Sequence, residues 1–302
     1  MSVIEEIIQA AGAQGASDVH ITAGIPPKMR INGRLHTMNF PKMTAKDTLE
    51  MVLEMMTEAQ RRQYEERGEF EMSYPLQDSG YCRVSVYREK CRTALSFRLL
   101  AMQPPVPEQL GIPEAVMELY DRTGGLILVT GCAGSGKTTT LAALIDKINS
   151  SRDVHIITLE SPIEYIHGHK MAIVNQREIG RDTGSCFAAL KAVMREDADV
   201  ILLGEMEDAE TIEAAITAAE TGHLVLTSMN ARGAADMLER ITEAFAPQKQ
   251  QQIRRRFANV LEAIVFQQWK TSADGTQRVP SFEVLHADEE NLRLIRGERT
   301  EH

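Results

Sequence analysis

The chain has 302 residues, with 33 Lys and Arg against 43 Asp and Glu for a formal net charge of −10, and 43% of its residues are hydrophobic. That length predicts about two domains, each able to bury its own core. The acidic balance argues against nucleic acid as the principal partner, and no apolar run approaches the roughly 18 residues of a membrane span. The four cysteines, Cys82, Cys91, Cys132 and Cys186, form no C-x-x-C pair, so neither a zinc module nor a disulfide framework is indicated.

Met1-Ser-Val-Ile-Glu-Glu-Ile-Ile carries acids where a signal peptide carries basic residues, which predicts a cytoplasmic chain. Val3-Ile4 and Ile7-Ile8 share one helical stripe, ended by Gly12 and Gly15. Lys28–Ile31 and Arg34–Met38 flank Asn32-Gly33, a hairpin signal. Thr44 and Thr57 read as helix N-caps, Thr57 with Gln60 as a capping box, and the second helix stops at Gly68. Strands are expected over Tyr81–Tyr87 and Ala94–Leu100. Residues 1–100 therefore read as a small α+β domain with an antiparallel sheet.

Met102-Gln-Pro-Pro-Val-Pro107 reads as an extended linker. From Leu126 strands alternate with helices, the mark of a parallel sheet built from βαβ units. Gly125–Thr130 is a short apolar run expected to be a strand buried on both faces, and Thr139–Ile148 follows at helical spacing. Between them Gly131-Cys132-Ala133-Gly134-Ser135-Gly136-Lys137-Thr138 matches the phosphate-binding pattern G-x-x-x-x-G-K-[ST] in full. A loop entering a helix N-terminus turns backbone N–H groups and the positive end of the helix dipole toward an anion. Lys137 is placed to reach the β- and γ-phosphates of ATP and Thr138 to offer its hydroxyl to Mg²⁺, and the cradle runs on to Thr139. Two readings stand for Cys132: a passive loop residue, or a thiol acidified by the helix N-terminus.

Hydrolysis also needs an acid near the metal and a group that activates water. Asp199–Leu203 is an apolar strand followed by Gly204 and Glu205, and acids at the C-terminal ends of parallel strands sit where such sheets bind ligands. Glu205 is the candidate to hold the metal's water shell. His155–Leu159 is another such strand, with Glu160 and Glu164 leaving its end, and one of these carboxylates is placed to orient or deprotonate the attacking water. Asp208 caps a helix that runs to Thr221, with Gly222 after it. His223 opens the next strand, and a structural role and a catalytic one both remain open for it. Arg254-Arg255-Arg256 on a helix after Pro247 reads as a solvated or intersubunit face, with an anion site as the alternative.

In order, these segments resemble the secretion and type IV pilus ATPases, closest to the retraction motors among them. The resemblance runs from Ala16-Ser-Asp-Val-His20 to about Arg296 and rests on the phosphate loop, Val174-Asn-Gln-Arg-Glu178, Arg195-Glu-Asp-Ala-Asp199, Gly204-Glu205-Met206 and Thr217–Val225. It implies an α/β chain with a PAS-like N-terminal domain and linker over 1–104, a RecA-like ATPase domain over 105–302, and a hexameric ring. It also implies that Glu164 activates water, that Glu205 is the Walker B glutamate, that His223 is the first His-box histidine, and that Arg83 and Arg98 reach nucleotide between domains or subunits. An inner-membrane pilus platform protein, and a paralogous pilus ATPase, are the implied partners, with the chain peripheral at the inner face of the cytoplasmic membrane.

The family pattern is broken at four places. Ser161 replaces the aspartate of E-D-P-I-E, and Asn230 replaces the second His-box histidine. Glu207 stands where retraction motors carry arginine. Asn291–Arg296 keeps only Leu294, Ile295 and Arg296 of the retraction motif, and the chain ends before the last helices of such a motor. The paired C-x-x-C module of assembly motors is absent, which favours the retraction type. The expected function is an ATP-hydrolysing motor of pilus retraction; the alternative is an ATP-binding accessory subunit with little turnover that regulates a fuller paralogue.

Overall fold

A computed structural model describes residues 2–31, 33–76, 80–99, 106–271 and 278–297. Asn32 of the expected hairpin turn, the linker residues through Pro105 and the last five residues lie outside them. The chain forms two compact units, Met1–Met102 and Gln103–His302.

The first unit places α1 (Val3–Gly12), α2 (Ala45–Met55) and α3 (Glu58–Arg67) with six strands, β1 (Asp18–Ile21), β2 (Lys28–Ile31), β3 (Arg34–Thr37), β4 (Glu69–Leu76), β5 (Gly80–Glu89) and β6 (Arg92–Leu99). The strands form one sheet in the order β3-β2-β1-β6-β5-β4, antiparallel at every pairing. Three capping boxes set the helix starts: Ser2 with Glu5, Thr44 with Asp47, and Thr57 with Gln60. Each satisfies two backbone donors that the helix cannot. Gly68 closes α3 at φ +80°, in the left-handed region that favours glycine. Ile4, Ile7 and Ile8 of α1 and Val52 of α2 pack with Val19, Val84, Val86, Leu95 and Phe97 of the sheet.

Two strands of this unit, β1 and β4, were not expected from sequence. β4 contains Pro75 and two glutamates, which weakens its strand signature. Its place at the sheet edge removes the need for a proline N–H on its outer side.

The second unit holds α4 (Glu114–Met117), β7 (Gly125–Gly131), α5 (Lys137–Ser151), β8 (His155–Glu160), β9 (Ile173–Glu178), α6 (Cys186–Val193), β10 (Val200–Leu203), α7 (Ala209–Glu220), β11 (Leu224–Asn230), α8 (Ala234–Glu243), α9 (Pro247–Val260), β12 (Leu261–Thr271), β13 (Arg278–His286) and α10 (Glu289–Arg296). The sheet order is β13-β12-β7-β11-β10-β8-β9. Its pairings are parallel except for the β12–β13 hairpin.

Alternate residues of the central strands enter two cores. Leu126, Leu128, Ile201 and Leu203 pack with α6, α7, α8 and α9, while Ile127, Val129, Val200 and Leu202 pack with α4 and α5. Burial on both faces is why these strands read as continuous apolar runs, and each such side chain contributes about 1.5–3 kcal/mol. The basic run on α9 is partly absorbed by this packing. Arg256 pairs with Glu213 at 3.2 Å and Glu220 at 2.8 Å on α7, which holds the Glu220 carboxyl below its usual range.

Candidate nucleotide site

Every parallel strand of the second unit ends at the same edge, and the register brings Gly131 of β7 beside Asn230 of β11. After Gly131 the chain makes the exposed turn Cys132-Ala133-Gly134 and enters α5 through Gly136, at φ +94° and with no side-chain cap on the helix. The first N–H groups of a fifteen-residue helix are thus left to an anion, the arrangement in which helix N-termini bind phosphate. A Cβ on Gly131 would stand 2.1 Å from the Gln267 carbonyl oxygen, and one on Gly136 would stand 2.9 Å from Gln267 Nε2. Gly131 is therefore required by the close approach of the β12 backbone, and Gly136 by its left-handed φ.

Lys137 is 8% exposed and donates to Asn230 Oδ1 at 2.8 Å, Gly131 O at 3.2 Å and Cys132 O at 3.3 Å. Burial pushes its ammonium below the usual lysine range, and Glu205 pulls the other way. Asn230 also donates, through Nδ2, to a Glu205 carboxylate oxygen. One amide therefore joins the lysine of the phosphate loop to the glutamate at the end of β10. Asn230 stands outside the candidates named from the sequence, where it figured only as a lost histidine. Its place at the end of an apolar strand of a parallel sheet is the signal that points to it.

Glu205 follows Gly204 at the end of β10, held by Ser228 Oγ donating to Gly204 O at 2.6 Å and by Met206 N to Ser228 O at 3.0 Å. A cavity of about 160 Å³ opens beside it, lined by Met206, Glu207, Met229, Asn230 and Arg240. Partial burial, then the neighbouring charge of Glu207, raise the Glu205 carboxyl above its usual range, with Lys137 opposing. If ionised Glu205 supports turnover, activity falls as pH drops through this raised pKa. Glu207→Gln removes the like charge, so the acid limb of kcat is expected to move to lower pH; a pH profile of phosphate release checks this, and an unmoved limb would refute it.

The other acidic segment leaves β8 and returns as β9. Glu160 is buried, accepting from Thr158 Oγ1 at 2.6 Å and Gln176 Nε2 at 3.1 Å. Burial raises its carboxyl, and the charge of Glu164 adds to the rise. Gln176 also donates to Tyr165 O at 2.8 Å and accepts from His167 N at 2.8 Å, so it fixes the loop that carries the half-buried Glu164. Tyr165 OH lies 3.0 Å from Thr139 Oγ1, which sets this loop against the first turn of α5.

The site thus gathers the phosphate loop, Lys137, Thr138, Thr139 and Glu205, with the Glu164 loop beside it. His223 is not gathered: it precedes Leu224 at the opposite end of β11, roughly 20 Å of strand away. There its Nδ1 lies 2.9 Å from Ala218 O, at the C-terminus of α7. Arg83 and Arg98 are cross-strand partners on β5 and β6 in the first unit. Arg83 pairs with Glu71 and Arg98 with Asp18 at 3.1 Å; both arginines are substantially exposed.

The family described as Type II/IV secretion system protein matches residues 1–292. The type IV pilus retraction ATPase PilT of Pseudomonas aeruginosa is 36% identical over 98% of this chain and 86% of its own length. The type IV pilus ATPase PilU of the same organism is 38% identical over 93% of this chain and 74% of its own length. Among solved structures, the pilus retraction motor PilT with bound ADP superposes with a TM-score of 0.90 at 43% identity, covering 98% of this chain and 87% of that one. The expected α/β fold, with an N-terminal domain and an ATPase domain, is the fold of these proteins.

Proposed function

The chain belongs to the type II/IV secretion system protein family and is an ATPase of that family, and on that premise we propose that it works as a hexameric motor that drives type IV pilus retraction. The observation that carries this reading is the Lys137–Asn230–Glu205 linkage, which unites the phosphate loop with a strand-end carboxylate. Those residues fit ATP, because the N-terminus of α5 has no side-chain cap and, among the described residues, Lys137 has only neutral acceptors as hydrogen-bond partners. Backbone N–H groups over 131–139 cradle the phosphates, and Lys137 neutralises charge on them.

Thr138 and Glu205, the latter partly through water, are the residues that would hold Mg²⁺. The ion would supply positive charge against the negative charge that develops on the phosphates. Glu164 accepts a proton from, or orients, the attacking water. Arg83 and Arg98 reach a neighbouring subunit's nucleotide once released from Glu71 and Asp18, and His223 acts at a subunit boundary. No helix among the described residues is long and apolar enough to cross a membrane. The partners in this reading are an inner-membrane pilus platform protein, which holds the chain at the inner face of the cytoplasmic membrane, and a paralogous pilus ATPase. The net charge of −10 weighs against nucleic acid as a partner.

The test is phosphate release by the purified protein, together with its mass in solution when ATP is present. Turnover by a hexamer is the expected result. Tight nucleotide binding with background release would instead make the chain an accessory subunit.

A further inference from the structure

The loop over 132–136 is built from Cys, Ala, Gly, Ser and Gly and has almost no side-chain mass with which to hold its own shape. Its support comes from β12. The β7–β12 register runs to Thr130 beside Phe266, which puts Gln267 next to Gly131. The Gln267 side chain is 4% exposed and spans both ends of the loop's exit: Nε2 donates to Ser135 O at 2.8 Å, and Oε1 accepts from Thr140 Oγ1 at 2.8 Å. Two residues on, and so on the same face of the strand, Trp269 Nε1 donates to Gly134 O at 2.9 Å. The indole is 40% exposed, with the Arg278 guanidinium of β13 5.9 Å from its ring centroid. Three bonds from one strand thus fix the carbonyls of Gly134 and Ser135 and the first turn of α5.

We propose that Gln267 and Trp269 are positioning residues that hold the phosphate loop in its anion-receiving form, so that the β12–β13 hairpin sets nucleotide affinity. This rests on the nucleotide reading above. A loop ordered in advance does not pay its ordering entropy on binding, so the brace acts on affinity and hardly on the bond-breaking step, which Glu164 and Glu205 serve.

Trp269 is the chain's single tryptophan, and its emission reports on the brace directly. In the full-length protein, ADP is expected to change that emission. By calorimetry, Gln267→Met, which keeps the volume and removes the amide, is expected to weaken ADP binding about tenfold, and Trp269→Phe about threefold. KM for ATP should rise in step while kcat at saturation stays within about twofold. Wild-type ADP affinity in both variants would overturn the brace while leaving the nucleotide reading intact. A matched fall in kcat and thermal midpoint would reduce Gln267 to a general structural role and also overturn it. If Gln267→Met fails to fold, the half-exposed Trp269→Phe decides by the same affinity measurement. A wild-type protein that binds no ADP would remove the nucleotide reading and the brace together.

Discussion

Lys137→Ala is expected to cut ATP hydrolysis by about a hundredfold to a thousandfold, the loss typical of removing a preorganised charge from a transition state. The lysine is buried among three acceptors, none of which is a carboxylate, so its charge is available to phosphate oxygens. Burial disfavours that charge, and an incoming anion favours it. Removing the side chain leaves Asn230 Oδ1 and two loop carbonyls facing the site, which repels phosphate further. Nucleotide binding should therefore weaken as well as turnover. Lys137→Arg should not rescue, because a planar guanidinium cannot replace a compact ammonium inside this ring of acceptors. Calorimetry with ADP and a phosphate-release assay check both halves, and a variant that hydrolyses ATP at the wild-type rate would sink the assignment.

Glu205→Ala should separate the two. Its carboxylate faces Asn230, not the loop backbone, so nucleotide affinity should be held within a few-fold. Turnover should fall by about a hundredfold or more, in the range for loss of one preorganised electrostatic contribution to a transition state. The same colorimetric assay serves. Equal background release from wild type and variant would remove the motor reading altogether, while wild-type release from the variant would move the metal-side role elsewhere, with Glu160 and Glu164 as the remaining carboxylates. Glu205→Ala also leaves Asn230 Nδ2 without its acceptor, so Asn230→Ala in the same assay separates loss of the carboxylate from disturbance of Lys137.

Much of this protein is legible locally. The phosphate loop and the buried strands around it, the N-cap at Thr44, the capping box at Thr57 and the Gly68 terminus follow from residues within a few positions of one another, where chain geometry leaves little choice. β4 escaped because a proline and two glutamates mark an edge strand only once the sheet order is known. The basic run on α9 showed its charge in the sequence but not its partners; α7 supplies the carboxylates for Arg256.

By itself the sequence determined the ligand class, the strand–loop–helix cradle and the acidic strand ends, because each depends on short-range backbone geometry and on residue type. Only the tertiary structure decided which distant residues complete the site. Asn230 meets Lys137 across 93 positions and Gln267 reaches Ser135 across 132; strand order and register, not local spacing, bring them together. The same register carries His223 to the far end of β11. It also explains the first glycine of the loop, since Gly131 is small where the β12 backbone comes too close for a Cβ.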